Sequence, residues 1–141
     1  MTTTEILLQK VMEMEGCRLE AYQDAAGVPT IGYGHTKNVR MGDKISEYWA
    51  KEMLREDIEE AERQVKELGV AKTEGQLDAL VSFVFNLGIE RLKTSTLLKV
   101  IRNGGSRQQI KKEFKRWVYG GGKQLPGLVK RREWEARRFF E

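Results

Sequence analysis

Glu15-Gly16-Cys17-Arg18-Leu19-Glu20-Ala21-Tyr22-Gln23-Asp24-Ala25-Ala26-Gly27-Val28-Pro29-Thr30-Ile31-Gly32-Tyr33-Gly34-His35-Thr36 decides the fold, because a helical pattern ends in it and a glycine-punctuated one begins. Leu8, Val11 and Met12 recur at helical spacing, and Glu15 is the next step on that apolar face, with Glu13 directed elsewhere. A carboxyl on the apolar side of a helix loses hydration, which disfavours its charged form and is expected to raise its pKa. Asp24 falls in a Gly- and Ala-rich turn, more open, where a carboxylate stays ionised. Thr30 follows past a Gly-Val-Pro turn.

Two carboxyls in contrasting surroundings suit acid–base chemistry, and cleavage of a glycosidic bond requires such a pair. On those two residues alone, a helix ending in a solvated Glu and an Asp in a turn is the simpler reading. From Tyr22 to Asp43, Gly27, Gly32, Gly34 and Gly42 punctuate short runs such as Thr30-Ile31-Gly32-Tyr33, which reads as a β-hairpin region. Gly32 and Gly34 leave one face of that strand without side chains, open to a sugar ring or to another backbone. His35 is the single histidine and is expected to be a hydrogen-bonded structural residue. No His, Cys and Asp cluster has metal-ligand spacing, so no metal is expected. Cys17, with no activating pattern around it, is expected to be a small packed thiol.

Working outward, Thr2-Thr3-Thr4-Glu5 fits a capping box and predicts a helix from about Thr4 to Glu15, ended by Gly16, with Leu19 and Tyr22 folding back onto its apolar face. Trp49, Met53, Leu54, Ile58, Ala61, Val65 and Leu68 form one stripe between a capping Ser46 and a terminating Gly69. The length of this pattern suggests a strut joining two lobes. Gln76 to Leu87 is apolar on nearly all sides and predicts a central core helix, with Phe85, Asn86 and Gly88 at its end. Thr94-Ser95-Thr96 caps a helix that Asn103-Gly104-Gly105 ends. A further helical pattern runs from Ser106 to Tyr119. Gly120-Gly121-Gly122 is a loop, and Pro126 starts a last helix carrying Leu128, Trp134, Phe139 and Phe140.

The chain has 141 residues, one cysteine and a net charge of +4, which suits a single domain of two coupled lobes and excludes an internal disulfide. No apolar run reaches membrane-spanning length, and Met1 to Glu5 lacks the charged start of a signal peptide. Charge is uneven: from Arg102 to Glu141 there are twelve Lys or Arg against four Glu. A basic lobe suits an anionic polymer, whether nucleic acid, a membrane surface or the bacterial wall; because these charges follow helical spacing, solvated helix faces are the first reading, wall attraction the second, and nucleic acid, with no fold motif present, the third. The fold class expected is α+β and mainly helical.

The spacing Glu15-x8-Asp24-x5-Thr30, with Thr30-Ile31-Gly32-Tyr33-Gly34-His35-Thr36 attached, resembles the phage-type lysozymes (endolysins) of glycoside hydrolase family 24. Phe85-Asn86-Leu87-Gly88, Ser95-Thr96-Leu97-Leu98, Trp117 and Gly127-Leu128-Val129-Lys130-Arg131-Arg132 are similar to that family's pattern in the same order, so the resemblance covers nearly the whole chain. It implies one lysozyme-like domain over 1–141. Its parts would be an N-terminal lobe of about 16–45, a connecting helix of about 46–68, and a helical lobe of about 70–141 joined by the helix 4–15. Ligand sites tend to fall between such lobes. The implied reaction is hydrolysis of the β-1,4 bond between N-acetylmuramic acid and N-acetylglucosamine in peptidoglycan. Glu15 would be the general acid, and Asp24 and Thr30 would hold the attacking water. Gly34, His35, Thr36, Phe85, Asn86 and Thr96 would be substrate-binding residues. This geometry implies inversion, with carboxyl groups about 6.5–9.5 Å apart. One of Arg131 or Arg132 would face Glu15 and oppose the effect of burial on it.

No cofactor is expected, and the partner is the peptidoglycan polysaccharide rather than nucleic acid or an inserted membrane. A monomer is expected, made in the host cytoplasm without a signal peptide and reaching the wall through a holin-like pore. Two alternatives stand beside this: a lytic transglycosylase acting on the same bond, and a non-enzymatic cationic wall-binding protein.

Overall fold

The computed structural model describes residues 1–141 and is α+β, mainly helical. It divides into two compact units, Leu8–Glu60 and a discontinuous one of Met1–Leu7 with Ala61–Glu141. Two helices run from one unit into the other, α1 (Glu5–Glu15) and α2 (Glu47–Leu68).

In the unit Leu8–Glu60, β1 (Arg18–Gln23) and β2 (Pro29–Gly32) form an antiparallel hairpin. Arg18 pairs with Gly32 and Tyr22 with Thr30, and a bulge falls between these pairs. The other edge of β1 is also paired: Ala21 N–H donates to Asp43 O and Ile45 N–H donates to Leu19 O, each at 2.9 Å. The chain then enters α2 under a Ser46 cap, whose Oγ accepts from Trp49 N–H at 3.2 Å. The buried line of α2 begins at Ala50 and continues through Leu54 and Ile58.

This differs from the predicted stripe at its first member. Trp49 is 57% exposed and stacks edge-on against Tyr48 at 5.2 Å between ring centroids. One residue ahead of Ala50, it lies about 100° around the helix from the buried line. Leu19 is also outside, at 39% exposed, because it alternates with the buried Ala21 along β1. Tyr22 is half-buried, with the Arg18 guanidinium 4.1 Å over its ring. Cys17 is exposed rather than packed, since it sits in the turn between α1 and β1.

In the other unit, α3 (Glu74–Leu87) is the central element, buried from Leu77 to Val84 as its all-round apolar pattern requires. Thr73 caps it by accepting from Gln76 N–H. A short α4 (Ile89–Lys93), which no periodicity announced, leads to α5 (Thr96–Arg102), capped by Ser95. α6 (Arg107–Phe114) carries a capping box between Ser106 and Gln109. It ends five residues before Tyr119, because Tyr119–Gly120 (β3) turns over Gly121 and Gly122 to pair with Lys123–Gln124 (β4). α7 (Pro126–Arg138) starts on Pro126 and packs on α3 and α6. Phe83 meets Phe114 and Trp117 edge-on, at 6.1 and 5.5 Å between centroids.

The N-terminal cap also differs from the predicted capping box. Thr4 Oγ1 accepts from Leu7 N–H at 3.3 Å, and Thr4 donates through N–H and Oγ1 to Asp78 on α3. A long-range carboxylate therefore takes the place that Glu5 would have had.

Candidate active site

Glu15 closes α1, half-buried, and its carboxyl lies directly over the backbone of Gly34. A Cβ on Gly34 would stand 2.6 Å from Glu15 Oε1, and Gly34 has φ +76°. Only glycine satisfies both conditions, so the Thr30–Thr36 segment and the end of α1 fit each other through a missing side chain. The Gly34 turn is closed by paired hydrogen bonds between Ile31 and His35, both 2.9 Å.

Asp24 and Thr30 flank the tip of the β1–β2 hairpin. Asp24 Oδ1 accepts from Ala26 N–H at 2.8 Å and Val28 N–H at 2.9 Å, which fixes the carboxylate plane. Thr30 Oγ1 donates to Val28 O at 2.9 Å. Both side chains are thus referenced to one peptide residue, Val28. The hairpin register supports this, pairing Gln23 with Pro29 and Tyr22 with Thr30. Having donated its proton, the Thr30 hydroxyl keeps lone pairs for a further partner. Thr30 is only 3% exposed, whereas Asp24 is half-open.

His35 is anchored at both ring nitrogens: Nδ1 lies 2.8 Å from Asp57 Oδ2 and Nε2 lies 2.9 Å from Lys37 O. Both ring nitrogens therefore face an oxygen, which fixes the ring between α2 and the Lys37 carbonyl. Burial pushes the Asp57 carboxyl above the usual carboxylate range, opposed by the His35 hydrogen bond. Thr36 is exposed beside His35. Burial, and then the nearby Cys17, raise the Tyr33 hydroxyl.

Glu15, Asp24, Thr30, Gly34, His35 and Thr36 all belong to the unit Leu8–Glu60. Phe85, Asn86 and Thr96 belong to the other. Asn86 and Phe85 are half-buried near the end of α3, and Thr96 opens α5. Thr96 also lines a polar pocket of about 280 Å³ with Thr94, Glu113, Arg116 and Trp117.

Behind Asn86 lies a charged cluster that sequence reasoning only partly found. Arg132 and Glu135, both fully buried, approach at 2.8 Å between Nε and Oε1. Ser82 Oγ donates to Glu135 Oε2 at 2.5 Å, and Arg132 Nη2 donates to Asn86 Oδ1 at 2.8 Å. Burial raises the Glu135 carboxyl, opposed first by Arg132 and then by Arg131. The available signal was the i,i+3 spacing of Arg132 and Glu135 on a helix otherwise reading as basic. No three His, Cys, Asp or Glu side chains are grouped so as to hold a metal ion.

The phage lysozyme family model matches residues 12–135. The endolysin of Acyrthosiphon pisum secondary endosymbiont phage 1 is 42% identical over 134 residues, covering 92% of this chain and 91% of that one. The endolysin of Bacillus phage B103 is 42% identical over 147 aligned positions, covering 99% of this chain but 54% of that one. The chain therefore spans about half the length of that relative. Among solved structures, the muramidase domain of SpmX from Asticaccaulis excentricus superposes with a TM-score of 0.89 at 30% identity, covering 99% of this chain and 98% of that one. Residues 12–135 carry the α1 end, the hairpin and the α3–α7 core just described, and by that match this chain belongs to the phage lysozyme family.

Proposed function

We propose that this protein is an endolysin that hydrolyses the β-1,4 bond between N-acetylmuramic acid and N-acetylglucosamine in peptidoglycan, with Glu15, Asp24 and Thr30 as its catalytic residues. The observation that carries this reading is the pairing, in one compact unit, of a half-buried Glu15 against Gly34 with a hairpin tip that fixes Asp24 and Thr30 through Val28.

Glu15 protonates the leaving oxygen as the bond breaks, and the ring passes through an oxocarbenium-like state. A water on the opposite face then needs its two protons held and a lone pair aimed at the anomeric carbon. Asp24 Oδ1 is occupied by two backbone donors, so Oδ2 is the oxygen that accepts one water proton and finally takes it as base. Thr30 has spent its own proton on Val28 O, so its lone pair accepts the other. That arrangement attacks from the far side and inverts the configuration. Gly34, His35 and Thr36, and on the helical unit Phe85, Asn86 and Thr96, bind the polysaccharide. The protein acts at the cell wall as a monomer, reaching it from the host cytoplasm through a holin-like pore.

The test is Glu15→Gln. Clearing of permeabilised bacteria is expected to fall by more than a hundredfold, in keeping with the roughly 10²–10⁴-fold worth of a general acid. Folding and sedimentation with purified wall are expected to be unchanged. NMR of the first product from the native enzyme is expected to show the inverted anomer. Full clearing by Glu15→Gln would remove the assignment, and 1,6-anhydro ends in the product would make the enzyme a lytic transglycosylase.

A further inference from the structure

We propose that the buried Ser82–Glu135–Arg132 cluster is a positioning device for Asn86, locking its amide so that only N–H donors face a ligand and the site selects the carbonyl of an N-acetyl group. This rests on the function proposed above, which has Asn86 bind the polysaccharide, and concerns Ser82, Arg132 and Glu135, to which that mechanism gives no part.

The orientation of Asn86 follows from what Arg132 is. A guanidinium has donors and no acceptor, so the Asn86 atom 2.8 Å from Arg132 Nη2 must be the carbonyl oxygen Oδ1. The amide Nδ2, with two donors, is thereby turned away from the cluster. Arg132 is itself held. Its Nη2 donates to Glu135 Oε2 at 3.0 Å, its Nε lies 2.8 Å from Oε1, and the Phe83 ring stands 5.2 Å from its Cζ. Ser82 Oγ, one turn before Asn86 on α3, donates to Glu135 Oε2 at 2.5 Å and ties the carboxylate to the same helix. Every member is fully buried except Asn86, which is half-open.

Burying an ion pair is a poor way to gain stability, since well-packed apolar groups of similar volume do as well or better. It is a good way to fix one hydrogen-bonding atom in one direction. An amide offering only N–H recognises an acceptor, and on the sugar ring the carbonyl oxygen of the acetamido group is a far stronger acceptor than the ring and glycosidic ether oxygens. A free amine at that carbon, charged and donor-only, would be rejected.

The test uses the full-length chain labelled with ¹⁵N, its Asn86 side-chain NH₂ pair identified by its loss in Asn86→Ala. The probes are N,N′,N″-triacetylchitotriose and fully deacetylated chitotriose. The acetylated trimer is expected to shift the Asn86 NH₂ pair, and the deacetylated one to leave it unmoved. Arg132→Met alone strands the Glu135 charge, so Arg132→Met is combined with Glu135→Gln, which keeps an acceptor for Ser82. In this double variant the NH₂ pair is expected to become mobile in ¹⁵N relaxation, with affinity for the acetylated trimer reduced about tenfold, the worth of one well-placed hydrogen bond. Asn86→Ala is expected to lose the same factor, and combining all three changes to lose no more. On solubilised peptidoglycan the double variant raises KM about tenfold with kcat within about twofold.

The proposal is overturned by equal shifts with both trimers, by no shift with either, or by wild-type affinity in Asn86→Ala. Additive losses in the triple variant would also overturn it, because the cluster would then act other than through Asn86. The readings on the unmutated cluster and Asn86→Ala stand even if the double variant does not fold. Clearing by the wild type, measured on the same preparation, decides the proposed function separately.

Discussion

Gly34 meets Glu15 where a Cβ would push the carboxyl aside, and two different effects meet at that one α-carbon. Alanine at φ +76° costs about 1–2 kcal/mol wherever it occurs. At Gly34 its Cβ would also displace the Glu15 carboxyl. Gly42, at φ +98° with open space around it, isolates the first penalty. Gly34→Ala and Gly42→Ala are therefore expected to lose similar stability in thermal melts, while only Gly34→Ala loses clearing activity, by tenfold or more on the order set by a misplaced catalytic group. The His35–Asp57 pair makes a second prediction, in pH. The Asp57 carboxyl is raised by burial, so the folded chain holds its proton to higher pH than the unfolded one. Between the unfolded value, about 3.9, and the raised one, the native state binds more protons. Stability from this group is thus greatest below that window and falls as pH rises through it. Urea unfolding across this range is expected to show that fall in wild type relative to Asp57→Asn, in which it is absent; parallel curves would refute it. That Glu15, Asp24 and Thr30 fall in one compact unit could be read from the chain because they sit close together in sequence. Asp57 could not, because its bond to His35 crosses 22 residues.

At the scale of elements, periodicity located α2 and α3 well, and its error at Trp49 has a physical cause. A stripe is counted from apolar residues, yet burial begins where the helix first meets its neighbours, which is Ala50 and not Trp49. The same helix supplies the test. Leu54→Ala is expected to destabilise by about 2–5 kcal/mol. Trp49→Ala, though it removes more atoms, is expected to change stability by about 0.5 kcal/mol. Urea titrations of both variants check this, and comparable losses would mean Trp49 packs as the stripe suggested. The β3–β4 hairpin was legible only as a glycine loop, since strands of two residues carry no alternation to read. α4 escaped for the same reason: five residues are too few to establish a helical period. The cap of α1 escaped differently, because the group completing it, Asp78, comes from α3.

That last contact matters for the whole molecule. The unit Met1–Leu7 with Ala61–Glu141 is discontinuous, so its first seven residues must be brought back across everything encoded between. Asp78, fully buried, does this by accepting from Thr4 N–H at 3.0 Å, from Thr4 Oγ1 at 2.5 Å, and from Arg138 Nε and Nη2 at 3.1 and 2.9 Å. One carboxylate thus joins the N-terminus, α3 and α7, and Thr3 N–H adds a bond to Glu62 at 2.7 Å. Asp78→Asn keeps the shape and one acceptor but removes the buried counter-ion of Arg138, leaving it only the more exposed Glu141, 3.6 Å from Nη1. Breaking a buried pair in this way is worth about 3–5 kcal/mol. The loss should not stay in the helical unit. α1 and α2 are each continuous across the boundary at Leu7–Leu8 and Glu60–Ala61, and a helix freed at one end frays into its next turn. Single-tryptophan variants separate the two responses: Trp49 reports on the hairpin unit, and Trp117 and Trp134 on the helical one. Asp78→Asn is expected to lower the urea midpoint by the same amount in both sets, as one cooperative transition requires. A shift seen by Trp117 and Trp134 alone would show that the closure made by Asp78 serves only the unit that contains it.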